Sequence, residues 1–503
     1  MPTILPELRA ATRVEAHHPW PRFVVDVASW RVAGGELAAG RWTLLGLWGE
    51  ADSVHMAVLR GDRDAIAVLT LPCADRRFPA IGARHAPAIR LERAAQDLFG
   101  FAAEGLPDAR PWLDHGAWPV RAPLGRAEPV ADAAVPYPFL PAEGGALHQI
   151  AVGPVHAGII EPGHFRFHAD GETVVRLEER LGYTHKGTEA LMQGADLARA
   201  ARLAGRISGD STVASALAFA HAVEAALGLA PPPRAVWLRA LMAELERLAN
   251  HLGDVGAVCN DASFAIINAH CAVLRERVLR AAAVAFGHRL MMDRVVPGGV
   301  AANLDATGAA AITALVAAVR QRFPRLVELY DSTASLQDRV VGTGRLDPAL
   351  ARQFGCGGFV GRASGRDFDA RRWPGYPPYD DLRFDVPVRT EGDVNARVWI
   401  RIEEIGASLG LIEQLLAGLP AGDVRAKVGS SAEAEGAALV EGFRGDILAW
   451  VRVAADGTVA RCHVRDPSWF QWPVLEAAVD GNIVADFPLC NKSLNCSYAG
   501  HDL

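Results

Sequence analysis

Residues 236–255 read VWLRALMAELERLANHLGDV. Leu238, Leu241, Leu245, Leu248, Leu252 and Val255 recur at intervals of three and four residues, the spacing of one face of an α-helix. So long a stripe predicts a bundle helix. Working outward, helical patterns cover 214–227, 272–292, 308–337 with a kink at Pro324, and 394–419. Upstream, IAVGPVHAG (150–158), HFRFHADG (164–171) and ETVVRLEE (172–179) read as strands. The last eighty residues return to short strands, ALVEGFRGDILAWVRV (438–453) and ARCHVRDPS (460–468), with a hairpin turn at Asp456-Gly457.

The first part of the chain has a different texture. PRFVVDVASW (21–30), VHMAVLRG (54–61) and DAIAVLTLP (64–72) read as strands of an α+β module. Residues 121–148 then carry Pro123, Pro129, Pro136, Pro138 and Pro141, and proline both removes an amide donor and disfavours helix in the residue before it. That stretch reads as an extended linker. The expected fold class is α+β: a small N-terminal α+β domain over 1–120, a Pro-rich linker over 121–148, and a helix-bundle-rich domain with small peripheral sheets over 149–503.

Composition removes several function classes. The 503 residues are 50% apolar and 22% charged, which excludes a disordered chain. The net charge of -7 gives no basic field for a phosphate backbone, so no nucleic-acid partner is expected. The longest uncharged apolar run, 306–319, falls short of the ~20 residues that cross a bilayer, and the N-terminus shows no secretory signal, so a cytoplasmic location is expected. Seven scattered cysteines without a C-x2-C pair argue against a disulfide framework or a zinc ribbon. Gly355-Cys356-Gly357-Gly358 lacks the strand-turn-helix setting of a nicotinamide site.

Residues 153–192 hold His156, His164, His168 and His185 among Gly and Pro turns. Imidazole titrates near neutrality and loops can face a cleft, so the cluster suits proton chemistry; the alternative is a set of hydrogen-bonded loop histidines.

The same stretch resembles the 49-kDa (D-type) subunit of respiratory complex I and the large subunits of membrane-bound nickel-iron hydrogenases. Those families share a G-P-x-H opening, here Gly153 to His156, and an H-[RK]-G-x-E block, here His185 to Glu189. Further blocks follow in order at 201–224, 242–256, 385–405, 440–451 and 465–469. Residues 78–101 and 105–121 are similar to the 30-kDa (C-type) subunit, so the whole resembles a fused C/D-type subunit of the formate-hydrogenlyase (hydrogenase-4-like) kind.

The resemblance implies a site and its occupants. Nickel-iron hydrogenases hold their metals with two cysteines of an R-I-C-G-x-C block and two near the C-terminus, because soft thiolates suit such centres. Here the first block is Arg206-Ile207-Ser208-Gly209-Asp210-Ser211, and Ser497 and Gly500 align with the second pair, so no metal is expected. Cys490 and Cys496 are read as structural. In complex I the corresponding cavity binds a quinone headgroup. His156 matches its histidine, while Gly209 stands where its tyrosine would be. Arg444 matches the arginine that overhangs the hydrogenase metals, or is a member of a structural ion pair. The catalytic candidates are therefore His156 and Arg444. Ser208, Asp210, Ser211, His185 and Glu189 join His156 as candidates for binding the acceptor, although the serines could equally cap a helix.

The implied function is that of a C/D-like member of an NADH-quinone oxidoreductase, peripheral on the inner face of the cell membrane. Its implied partners are a small iron-sulfur subunit and membrane subunits that translocate ions. Two rivals stand beside it: a catalytically silent coupling scaffold, and an active nickel-iron hydrogenase, which Ser208, Ser211, Ser497 and Gly500 oppose.

Overall fold

The computed structural model describes residues 8, 11–61, 65–130, 136–158, 160–429 and 432–503. The leucine-striped segment forms the helix Pro233–Asp261, and all six stripe residues are buried. Around it pack the helices Thr212–Leu227, Ala265–Phe286, Ala306–Ser332 and Val394–Gly418 in one large apolar core. The opposite faces of the central helix are buried too. Arg239, Glu244, Glu246, Arg247, Asn250 and His251 lie inside, so each needs a partner there. Arg239 pairs with Glu224 at 2.5 Å, Glu244 with Arg371 at 3.0 Å, and His251 with Glu404 at 2.7 Å.

Two further sheets lie in this part of the chain, the first packed on the bundle and the second in a separate apolar core. The strands Ala434–Gly442, Gly445–Val453 and Val459–Arg465 form an antiparallel meander. A fourth, parallel strand, His17–His18, joins its edge from the far end of the chain. Strands Leu147–Val152, His164–Asp170 and Thr173–Arg180 make the second sheet. The N-terminal part is a five-stranded sheet in which Arg22–Val25 is parallel to Ala65–Pro72, with the helices Val27–Ala38 and Ile89–Phe99 against it. The mixed helix and sheet content is the α+β architecture expected.

Several element boundaries differ from the sequence pattern. PRFVVDVASW is a strand only to Val25; Asp26 then caps a helix by accepting from the Ser29 amide at 2.8 Å. GPVHAG is a turn following a strand that ends at Val152. The helix containing Pro324 runs on to Ser332, and Thr333 separates it from Ala334–Val340. After the last strand the chain is helical, over Ser468–Val479, Phe487–Leu494 and Tyr498–Asp502. Within 121–148, the short strand Val120–Arg121 pairs with Glu128–Pro129, Leu147 and His148 begin the strand Leu147–Val152, and the rest of the described backbone is irregular; 131–135 lie outside the described residues.

Candidate functional site

Three segments meet at the serine block. A single 3-10 turn, Gly209–Ser211, leads from Ser208 into the helix Thr212–Leu227. The hairpin between the strands Ala434–Gly442 and Gly445–Val453 carries Arg444, and the C-terminal segment brings Asn495 and Ser497. Arg444 forms a bidentate pair with Asp210, at 2.7 and 2.6 Å, and donates also to Ser211 Oγ and to the Asn495 carbonyl. Ser208 Oγ lies 2.8 Å from both Asp210 Oδ1 and Ser497 Oγ. Burial alone would push the Asp210 carboxyl up, but the Arg444 guanidinium and the Ser208 hydroxyl outweigh it and hold the group below the usual carboxylate range. The Arg444 guanidinium is raised in turn, Asp210 overcoming the cost of burial.

His156 lies beside this cluster in a groove of about 180 Å³ that it shares with Phe165, Asn491, Asn495, Cys496 and Tyr498. Its Nε2 donates to the Gly163 carbonyl at 2.8 Å, which fixes the ring and leaves Nδ1 as the second ring nitrogen. Gly153 makes that placement possible. Its φ is +80°, and a Cβ there would meet the Gly163 carbonyl at 2.3 Å and the His156 ring at 2.8 Å. Asn495 connects the two places: its carbonyl takes Arg444, and it lines the groove. Arg444 is therefore gathered with Ser208, Asp210 and Ser211, while His156 occupies the adjoining groove.

His185 and Glu189 stand elsewhere. His185 Nδ1 donates to the Asp502 carbonyl at 2.7 Å, and its ring lies 4.9 Å from that of Trp118 at the wall of a separate cavity of about 310 Å³. Glu189 is buried between Arg461 at 2.8 Å and His463 at 2.7 Å. Burial works against its charge, yet the Arg461 guanidinium and the His463 ring beside it bring the carboxyl down to about 2. Such a carboxylate is an ion-pair anchor tying the helix Thr188–Met192 to the C-terminal sheet.

Residues 263–434 match the family described as respiratory-chain NADH dehydrogenase, 49 Kd subunit. Formate hydrogenlyase subunit 5 of Escherichia coli K12 is 31% identical over 451 residues, which span 84% of this chain and 77% of that protein. The chain belongs to this family of complex I and hydrogenase large subunits. Hydrogenase-4 component G of the same organism is also 31% identical, over 87% of this chain and 78% of that protein. Among solved structures, one chain of the membrane-bound sulfane sulfur reductase, an archaeal respiratory membrane complex, superposes with a TM-score of 0.67 at 26% identity, over 71% of this chain and 99% of that one.

For a family that includes nickel-iron hydrogenases, the donor set is the test. The four positions that the resemblance sets against thiolates offer three hydroxyls and a glycine. The Ser208 and Ser497 hydroxyls bond to each other, Ser208 also donates to Asp210, Ser211 accepts from Arg444, and Ser497 accepts from the Gly500 amide. At Gly500 a Cβ would sit 2.6 Å from Asp466 Oδ2, so even a cysteine there would have to displace a carboxylate. This set does not fit a nickel-iron centre. Among the described residues no other group of three or more His, Cys, Asp or Glu side chains is arranged to hold a metal, and all seven cysteines are buried free thiols.

Sequence reasoning missed Tyr498, Asn491 and Asn495, which line the His156 groove. Their stretch, NKSLNCSYAGHDL, was informative only through its cysteine pattern; nothing local signals that the chain end folds back against the loop at 153–163. Ser497 is also a genuine helix cap, accepting from the Gly500 amide at 2.9 Å, whereas Ser208 and Ser211 make no cap hydrogen bond.

Proposed function

We propose that this chain is the large peripheral subunit of a complex I-like or hydrogenase-related oxidoreductase on the inner face of the cell membrane, and that the groove beside His156 takes a quinone-like acceptor. The C-type and D-type division, 1–120 and 149–503 about the linker, is read in the same way. The observation that carries the proposal is the hydroxyl and ion-pair cluster of Ser208, Ser497, Asp210 and Arg444: these side chains bond to one another where the resemblance would put a thiolate-bound metal, and open space lies next to them, around His156 and Tyr498.

The chemistry follows from the lining. A carbonyl acceptor is polarised by N–H and O–H donors, and its reduction needs protons as electrons arrive. His156 offers an imidazole, Tyr498 a phenol and Asn491 an amide, while Phe165 and Phe487 give the apolar walls an aromatic ring needs. Electrons would come from the iron-sulfur cluster of a small partner protein. Among the described residues no helix is long and apolar enough to cross a membrane, so attachment and ion movement would belong to membrane subunits of the assembly.

Turnover of the purified intact complex with a short-chain quinone tests this. His156→Ala should lower kcat at least about tenfold with the assembly and its composition unchanged, and elemental analysis should find no stoichiometric nickel. The sulfane sulfur reductase neighbour makes a sulfane-sulfur compound the second acceptor to assay. A scaffold without chemistry is the competing reading, favoured by the saturation of Arg444 and by the engagement of His156 Nε2 within its own loop. Parental turnover in an assembled His156→Ala complex would decide for it.

A further inference from the structure

Behind the groove wall two carboxylates share one guanidinium. Arg90 NH1 lies 3.0 Å from Glu179 Oε2, and Arg90 NH2 lies 2.8 Å from Glu476 Oε1. The Glu179 side chain is fully buried, and its second oxygen, Oε1, has no hydrogen-bond partner. Glu179 is the cross-strand partner of Phe165, so both side chains leave the sheet on the same face. On that face Phe165 meets His156 at 5.7 Å and Tyr498 at 6.5 Å between ring centroids. The Glu476 side chain, by contrast, is 28% exposed. The pair thus spans from solvent to the back of the groove.

We propose that Glu179 is the proton reservoir of the groove, reloaded from solvent through Glu476. This rests on the acceptor reading above. In a two-electron reduction of a carbonyl acceptor, both electrons come from the partner's iron-sulfur cluster and two protons are taken up. One proton comes from the His156 side. For the other, the Tyr498 O–H bond breaks as an O–H bond forms on the acceptor oxygen, the phenolate regains its proton as the Glu179 O–H bond breaks, and the carboxylate left behind is reprotonated by way of Glu476.

The charge environment agrees. Facing Glu179 are Arg90 from the helix Ile89–Phe99, Glu476 from Ser468–Val479, and Cys496 and Tyr498 from the C-terminal segment, with Glu178 acting on Glu476 from beyond. Burial and then the neighbouring Glu476 raise the Glu179 carboxyl well above the usual range, and the single Arg90 does not offset both. The pair therefore holds a proton more readily than two ordinary carboxylates would. Glu179 acts through Tyr498 and is a positioning residue, so its test needs a readout that a structural role would not move.

In the intact complex, Glu179→Gln should keep assembly and the KM for a short-chain quinone, lower kcat about tenfold, and flatten the pH dependence of kcat. Glu476→Gln, at the solvent-facing end, should move the same two quantities in the same direction. Parental kcat and pH profile in both assembled variants, alongside an inactive His156→Ala complex, would overturn the reservoir while leaving the acceptor reading intact. If the parent reduces no quinone, the acceptor reading fails, and infrared difference spectra decide the remainder. A protonated-carboxyl band at neutral pH that Glu179→Gln removes sustains a stored proton; the same spectrum in parent and variant refutes it.

Discussion

Two carboxylates beside the serine turn show how a single neighbour sets a residue's chemistry. Asp210 faces Arg444 and stays ionised. Glu246, on the central helix, accepts from the Val213 and Ala214 amides at 2.7 and 3.0 Å but has no direct cationic partner. Burial drives its carboxyl from 4.5 up to about 8, with the Asp210 charge adding to the effect. A folded value above the unfolded one means that the native state keeps a proton the unfolded chain releases. Its stabilisation is complete below about pH 4.5 and is lost as pH rises to about 8. Over that window the parent should lose on the order of 3–5 kcal/mol relative to Glu246→Gln, whose amide does not titrate. Urea unfolding of both proteins at several pH values checks this, and parallel stability curves would contradict it. In the sequence, the serine substitutions and Arg444 were legible because each occupies one position of an ordered motif. The environment of Glu246 was not, since its partners belong to a helix start thirty residues upstream.

At the scale of elements, legibility follows the length of the periodic signal. The helices around 236–255 announce themselves because one apolar stripe runs through many turns. The helix Val27–Ala38 does not: its sequence, VASWRVAGGELA, opens like a strand and contains two consecutive glycines, so only its Asp26 cap and its packing define it. The C-terminal helices are short, and the first follows directly on a strand, so no long stripe marks them. Loops that press on the site are still less visible. Gly358, with φ +59°, lies against the Arg444 hairpin, where a Cβ would come within 2.1 Å of the Arg444 carbonyl. Gly406, inside the helix Val394–Gly418, has open space around it. Replacement by alanine should therefore act with opposite signs. Gly358→Ala should destabilise by about 2–4 kcal/mol and shift the Arg444 hairpin, whereas Gly406→Ala should stabilise by about 0.5–1 kcal/mol. Denaturation midpoints of the two variants test the pair, and loss of stability in both would show that helix packing at 406 has been misjudged.

On the scale of the whole molecule, the Pro-rich stretch divides the sequence far more clearly than it divides the structure. The strand His17–His18 extends the C-terminal sheet, and Arg22 forms a bidentate pair with Glu435 at 2.8 and 2.9 Å. Trp48 of the N-terminal sheet stacks on His463 at 4.9 Å, Arg465 donates to the Leu45 carbonyl at 2.7 Å, and Trp112 donates to His501 at 3.2 Å. One apolar core runs from Leu44, Phe99 and Trp112 to Phe165, Trp469 and Trp472. No sequence period reports such contacts, because they join residues hundreds of positions apart. Their number and burial argue that neither part keeps its structure when the other unfolds: melting residues 11–120 would expose the core faces of Trp469 and Trp472 and leave Glu435 without Arg22. Calorimetry and tryptophan fluorescence of the chain should therefore report one coincident unfolding transition. A fragment spanning 149–503 should be insoluble, or should melt far below the whole chain. Two resolved transitions, with the fragment reproducing one of them, would mean that the shared core adds little and that the proline-rich stretch separates two independently stable bodies.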